Sequence, residues 1–432
     1  VERAPRPLRD NATRTEGAPM KTRRTILKVA ATAAVVSCVA LFASACGSGS
    51  DTTNPAGGTG TPATGTPITV GFVNSDTGGF AVPEAAKTAQ AAADYINANG
   101  GINGRPLELD MCSTDATPQA STTCANQFLS SDVPVVLNGY DLGLDYALPI
   151  YKNGGLRLFG AFGTPGAALE PENTFLMAPS DSFTAGLGGF FKQVGVRKIV
   201  FIIPDAGPQM NQLVEPYIRA AAAQGVTLTA QLVSPANPDV TAAVTAARSA
   251  DADAILFAFQ ENDCTNAVRT AKSLGWNGKI FAGACTQFID ELGAQAEGVY
   301  TSQNLFPYNA RASVTAWDSK LENDFAVYEQ AVNAAGQEQY LDSGYGTYGF
   351  STVMTFASIL KGISGEITQD SINQALTAFQ GSQFLGTQQN CVQKLSPGGA
   401  CGRALVGLQV DSNGTQKLVG DKPFDLAAYA AK

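Results

Sequence analysis

From Ile68 onward, short β-branched runs alternate with amphipathic helical stretches, and that alternation most constrains what the chain can fold into. Ile68–Val73 reads as a strand. Pro83 then opens a helix with Ala85, Ala89, Ala92 and Ile96 on one face, and Gly100-Gly101 ends it. Leu107–Met111 is the next strand, and Thr117 with Pro118 makes the N-cap and first turn of the following helix. Val133–Leu137 and Leu156–Gly160 read as strands on either side of a helical stretch at 147–152. The pattern restarts with a strand at Lys198–Ile203 and a helix from Gln209 to Gln224, stopped by Gly225. Val226–Leu232, Ala254–Phe259 and Lys279–Ala282 follow as strands, and Asn237-Pro238-Asp239 caps a helix between the first two. Strands alternating with helices pair in parallel and carry helices on both faces. Two such series predict an α/β chain of two doubly wound parallel-sheet lobes. The tail departs from the pattern: 313–336, 345–361 and 368–379 read as successive helices, and 403–420 as short strands around Asp411-Ser412-Asn413-Gly414. A tail that serves both lobes predicts a hinge of several crossings.

The 432 residues contain no histidine, which excludes Ser-His-Asp and Cys-His catalysis and any metal site built on imidazole. Residues 1–45 hold eight Lys/Arg and three acids, so the remainder carries 20 basic and 34 acidic residues, a net of −14. A body that acidic is a poor partner for phosphate backbones, and nucleic-acid binding is excluded. No pair of acids is placed by motif spacing for hydrolysis, so the chain does not read as an enzyme, and nothing in it calls for a cofactor.

Met20 opens a different pattern. Lys21, Arg23, Arg24 and Lys28 form a basic stretch, followed by an apolar run over 29–45 and then Cys46. This describes an export signal. Ala43-Ser44-Ala45-Cys46 resembles a bacterial lipobox, with Ala43 where leucine is usual, and Thr22–Lys28 resembles a twin-arginine motif. Residues 1–45 are therefore expected to be signal and precursor, with Cys46 the lipid-bearing first mature residue on the outer face of the cytoplasmic membrane. Residues 46–67, rich in Gly, Thr and Pro, read as a flexible tether. Apart from Cys38 in the signal and Cys46, the cysteines fall in three local couples: Cys112 with Cys124, Cys264 with Cys285, and Cys391 with Cys401. Paired cysteines in an exported chain predict disulfides, and without C-x-x-C or histidine no metal site is expected.

The segment YINANGGINGRPLEL (Tyr95–Leu109) closely resembles the extracytoplasmic solute-binding proteins of the branched-chain amino acid type, which serve ATP-driven importers. The similarity covers roughly 68–420. Asp115–Ala120, Ala178–Asp181 and Ala294–Tyr300 stand in the same order as in that family. The resemblance implies a periplasmic-binding type I fold, with one lobe of 68–178 and 303–379 and a second of 179–302 and 380–432. A small-molecule solute would lie in the cleft between them, and a membrane permease would be the partner.

Binding groups are expected in the turns after strands. These supply Ser75 and Phe80, then Tyr140 where the family offers serines, then Gly163 and Thr164. By resemblance the Gly163-Thr164 turn takes the ligand's carboxylate. In the second lobe Gln209 stands where the family commonly has a tyrosine, and Gln260 or Glu261 falls at an aromatic position. Near Ala284 no carboxylate stands ready to pair a ligand's amino group, and Glu261 or Asp263 would substitute. These positions predict an amide-rich pocket for a small polar solute such as an amino acid or amide. The aromatic stretch Tyr345–Phe356 reads as core. The function expected is that of a solute-binding lipoprotein of an ATP-driven importer, and the alternative is a ligand-sensing receptor for a signalling partner.

Overall fold

The computed structural model describes residues 60–429, apart from 178, 179, 206, 208 and 396–399, and apart from the side chains of 180–182, 209 and 212. The expected signal, Cys46 and most of the tether lie outside the described residues.

The first sheet contains β1 (Ile68–Ser75), β2 (Leu107–Thr114), β3 (Val135–Asn138), β4 (Arg157–Gly160) and β5 (Thr174–Leu176), in the order β2-β1-β3-β4-β5. All of its pairings are parallel. Helices α1 (Pro83–Ala98), α2 (Pro118–Ser130), α3 (Leu144–Asn153) and the short α4 (Pro165–Ala168) connect the strands. The second sheet repeats this winding. Its strands β6 (Lys198–Pro204), β7 (Thr227–Val233), β8 (Ala254–Phe257), β9 (Lys279–Phe281) and β10 (Tyr300–Gln303) run in the order β7-β6-β8-β9-β10, again in parallel. They are linked or preceded by α5 (Ser180–Gln193), α6 (Gln209–Ala223), α7 (Val240–Ser249), α8 (Glu261–Ser273) and α9 (Phe288–Leu292). Both sheets thus have a topological switch point beside their first strand, where open α/β sheets bind ligands.

Local chemistry explains the boundaries. The Thr117 side chain accepts the Ala120 amide at 3.3 Å at the start of α2, and Asp239 accepts that of Ala242 at 2.9 Å at the start of α7. The Ala85, Ala89 and Ala92 face of α1 is fully buried. It lies so close to the later helix α12 (Gly346–Lys361) that a side chain at Gly349 would meet the Ala85 carbonyl at 1.7 Å. Only glycine fits there.

The tail is divided between the lobes. Helices α10 (Arg311–Trp317), α11 (Leu321–Ala334), α12 and α13 (Gln369–Ala378) follow β10. Phe325, Tyr328, Phe350 and Phe356 join Phe72 and Phe159 in the first lobe's core. The single helix expected over 313–336 is two, broken at Asp318, whose carboxylate accepts the Lys320 amide at 3.0 Å. A hairpin of β11 (Gln380–Ser382) and β12 (Gln388–Asn390) follows. Residues 380–391, expected with the second lobe, instead give Leu385 and Cys391 to the core of the first. Then β13 (Ala404–Val410) adds antiparallel to β10, β14 (Gln416–Leu418) pairs with β13 across the expected Asp411–Gly414 turn, and β15 (Phe424–Asp425) pairs with the start of β13. The chain therefore passes between the sheets after β5, after β10 and between β12 and β13.

The three expected disulfides are present: Cys112–Cys124 ties β2 to α2, Cys264–Cys285 ties α8 to the loop after β9, and Cys391–Cys401 closes the third crossing. Each closes a short loop, a constraint that contributes about 2–4 kcal/mol. Among the described residues no helix is long and apolar enough to cross a membrane, and no cluster of His, Cys, Asp and Glu could hold a metal ion.

Candidate functional site

The strand ends of the two sheets face each other across a cavity of about 100 Å³. From the first sheet it takes Phe80 after β1, Tyr140 and Leu142 after β3, and Phe162 and Gly163 after β4. From the second it takes Phe201, Ile203 and Pro204 of β6, Leu256 and Ala258 at the end of β8, and Gly283 and Ala284 after β9. Helices α5 and α6 add Phe183, Leu187, Met210, Leu213 and Tyr217, while Ser302, Asn304, Tyr345 and Tyr348 come from the crossings and the start of α12. Among the described residues no Lys, Arg, Asp or Glu side chain stands in these walls.

Tyr140 is the centre of an aromatic cluster. Its ring lies 3.9 Å from that of Phe162 and 5.8 Å from Phe80, both nearly parallel, with Tyr345 and Tyr348 edge-on at 5.3 and 5.6 Å. The turn carrying it is held from below. Ser75 N–H donates to the Tyr140 carbonyl at 3.1 Å, and the Ser75 hydroxyl sits within 3.1 Å of Thr114 Oγ1 and 3.3 Å of Asp141 Oδ1. Asn138 donates to the Phe162 carbonyl at 3.1 Å and so fixes the next turn. Burial, then the neighbouring Tyr348 and Tyr217 phenols, pushes the Tyr140 hydroxyl well above the usual phenol range. Burial likewise pushes Tyr217 up to about 12. Both phenols are neutral at ordinary pH. The Tyr140, Tyr217 and Tyr348 hydroxyls have no hydrogen-bond partner among the described residues, whereas Tyr345 donates to the Phe259 carbonyl at 3.1 Å.

Of the residues singled out in the sequence, Phe80, Tyr140 and Gly163 line this cavity together. Ser75 lies beneath it, fully buried. Thr164 is turned aside: its hydroxyl donates to Asp145, whose carboxylate also accepts the Gly166 and Ala167 amides at 3.0 Å each. A side chain at Gly166 would come within 2.5 Å of that carboxylate, so glycine is what lets Asp145 seat. The turn expected to receive a ligand's carboxylate therefore already holds one of the protein's own. Gln209 opens α6, but its side chain lies outside the described residues. Gln260 is the N-cap of α8 and is not part of the cavity wall.

Glu261 lies behind the cavity, where α1, α8 and the loop before α12 meet. It accepts the Thr286 amide at 2.9 Å, the Gln287 amide at 3.1 Å, the Gly344 amide at 3.0 Å and the Ser343 hydroxyl at 3.1 Å. Ser343 Oγ is also 3.2 Å from the carboxylate of Glu84, which is buried as well. Burial first, and then the Glu84 charge, raises Glu261 to about 8, against the pull of its backbone donors. Glu84 is raised too, mainly by burial. Two carboxylates bridged by one hydroxyl hold a proton between them at neutral pH. Neither is free for a ligand.

Among the described residues the wall is aromatic and aliphatic, with Asn304 its one side-chain amide, while the Gln209 side chain on which the amide-rich expectation rested lies outside the described residues. Tyr345 and Tyr348, read as core, are buried in the core and also line that wall, and Tyr217 reaches it from mid-helix.

Two parallel lobes with matching strand order, joined by repeated crossings and facing each other across a cavity, define the type I periplasmic binding fold. The match to the family described as periplasmic binding protein runs over residues 67–415, and the chain belongs to that family. It is similar to the Leu/Ile/Val-binding protein homolog 3 of Brucella melitensis, 27% identical over 199 residues, or 44% of this chain. That match spans about half, 54%, of the curated relative. A leucine-binding protein of Thermotoga maritima superposes with a TM-score of 0.63 at 17% identity, covering 83% of this chain and 99% of its own. The branched-chain amino acid transporter substrate-binding protein of Streptococcus pneumoniae, solved with isoleucine, gives 0.64 at 18% identity over 82% and 99%. A fatty acid transporter substrate-binding protein of Thermomonospora curvata gives 0.62 at 16% identity over 85% and 96%.

Proposed function

We propose that this protein captures a small solute between its lobes and delivers it to an ATP-driven membrane importer. The observation that carries the reading is a cavity walled jointly by the strand ends of both sheets, so that closing the lobes completes the grip. Family membership supports delivery to a transporter. The relatives of this fold are named for leucine, isoleucine and a fatty acid transporter, so the fold by itself leaves the ligand open. The basic stretch, apolar run and Cys46 support export and a lipid anchor on the outer face of the cytoplasmic membrane, with residues 46–67 as tether.

Small-angle scattering during a solute screen tests the capture reading: one solute should compact the protein and raise its melting temperature, as mass action requires. A scattering profile that no solute alters, with no change in melting, sinks it. Mass spectrometry of the membrane fraction tests the anchor through an acylated Cys46; an unmodified N-terminus elsewhere overturns it.

A further inference from the structure

The cavity is more specific than its fold, and its walls restrict the chemistry of what it holds. A free amino acid would bring an ammonium and a carboxylate into a space whose described walls carry no charged side chain. An unpaired ion in such surroundings is strongly disfavoured. Among the described residues, two places beside the cavity where a charge could have been met are already committed. Asp145 fills the Thr164–Ala167 turn with its own carboxylate, which repels an incoming acid. Glu261 spends both oxygens on four donors behind Tyr345.

What remains unpaired on the described wall is neutral. The Tyr140, Tyr217 and Tyr348 hydroxyls have no partner among the described residues. Asn304, 2% exposed, donates its amide to the Ala161 carbonyl at 3.0 Å, and its Oδ1 finds no partner there. These are phenol donors, which also accept, and an amide acceptor. They suit a hydroxyl or carbonyl oxygen rather than an ionised group. The size also argues: an apolar cavity of about 150 Å³ takes a benzene ring, and this one is about 100 Å³ with mobile lobes around it in the capture reading.

Resting on that reading, we infer that the cleft binds an uncharged, mainly apolar molecule about the size of one ring, carrying a hydroxyl or carbonyl oxygen, and that it rejects zwitterionic amino acids. Four probes of similar size separate the charge states: 4-methylphenol (neutral), 4-hydroxybenzoate (anionic), tyramine (cationic) and L-leucine (zwitterionic). Calorimetry at pH 7 should show 4-methylphenol binding about a hundredfold or more tighter than any of the other three, because each charged probe must bury its charge or shift its protonation. Scattering should show compaction with 4-methylphenol. Asp145→Asn removes the resident charge from the α4 turn and should narrow the gap between 4-methylphenol and 4-hydroxybenzoate by about tenfold. Compaction with a charged probe that binds as tightly as 4-methylphenol overturns the inference and leaves solute capture standing. An unchanged gap in Asp145→Asn, its melting curve intact, overturns the role given to Asp145. Compaction with none of the four overturns the inference, and solute capture falls with it only if the wider solute screen also leaves scattering and melting unchanged.

Discussion

Tyr345 stands between two buried regions built largely from the same elements and opposite in chemistry. Its ring faces the cleft cavity, where the described walls are aromatic and uncharged and several polar atoms are left unpaired. Behind it lies the Glu84–Ser343–Glu261 seam, where carboxylates are buried and nearly every donor in reach is spent. In the cavity, burial and aromatic packing set the shape, and the unused hydroxyls await an outside partner. In the seam, the partners are internal: Glu84 of α1 and Glu261 of α8 meet through the Ser343 hydroxyl. Unsatisfied polar groups at a buried surface are costly. Where they persist at a cavity wall they point to a ligand; where they are all paired, as in the seam, they point to structure.

The comparison breaks most visibly at its aromatic centre. Tyr140→Ala removes the ring that contacts Phe80, Phe162, Tyr345 and Tyr348. Loss of about 3–5 kcal/mol of stability is expected, as for other large aromatic truncations, together with loss of 4-methylphenol binding. Urea unfolding and calorimetry read the two effects separately.

The seam is sharpened by pH. Glu261 keeps its proton to about 8, against the ordinary 4.5, so the folded protein binds more protons than the unfolded chain between those values. Its contribution to stability is therefore full below about pH 4.5 and is lost as pH rises through about 8, with a slope of at most about 1.4 kcal/mol per pH unit. Urea midpoints across this window should show the slope in the wild type and not in Glu261→Gln. Glu84→Gln removes the second cause of the shift, so the upper end of the window should move below pH 8. Identical pH profiles for all three proteins would show that the seam carries no shared proton.

Smaller effects test the turns. Thr164→Val loses one hydrogen bond to Asp145 while its backbone amide neighbours remain, so about 1–2 kcal/mol of stability should go. Affinity for 4-methylphenol should stay within about twofold, since the threonine hydroxyl faces Asp145. Gln260→Ala should change stability by less than about 0.5 kcal/mol and leave binding alone, because Gln260 makes no side-chain cap at α8. A tenfold loss of affinity in Gln260→Ala would place the cavity's polar end at the start of α8 and not at the tyrosine hydroxyls.

Much of the architecture could be read before the structure. Pro83, Thr117-Pro118 and Asp239 mark helix starts by local backbone chemistry, and the β-branched runs between them mark the strands. Three of the turns those strands create carry Phe80, Tyr140 and Gly163 to the cavity, since strand ends in such sheets must converge. The rest depended on distance. Tyr345 and Tyr348 are core residues that also line the cavity, whereas Phe350 and Phe356 of the same helix are core alone, and no periodicity separates the two when all are apolar. Asp145 looks like a first-turn helix acid; its seat against Thr164, Gly166 and Ala167 arises only from the packing of α3 on α4. Glu261 opens α8 as an acid suited to a helix start, and only the third dimension places Glu84 beside the hydroxyl it shares.

The division of the tail between the lobes has a consequence for the order of events in folding. A ribosome would have finished β1 to β5 long before it made α11 and α12, yet the face of α1 formed by Ala85, Ala89 and Ala92 needs α12 to cover it. The second sheet likewise acquires β13 beside β10 only after about a hundred further residues. Contacts of such wide sequence separation, Ala161 with Thr352 among them, make for slow folding, on the scale of milliseconds to seconds or longer. No stretch of the nascent chain that stops short of β13 can close both cores. An emerging fragment with a complete five-stranded sheet would still present an apolar helix face to water. Such a fragment exposes the kind of apolar surface that makes an incomplete chain prone to aggregate, and each core closes only once its share of the tail has been made.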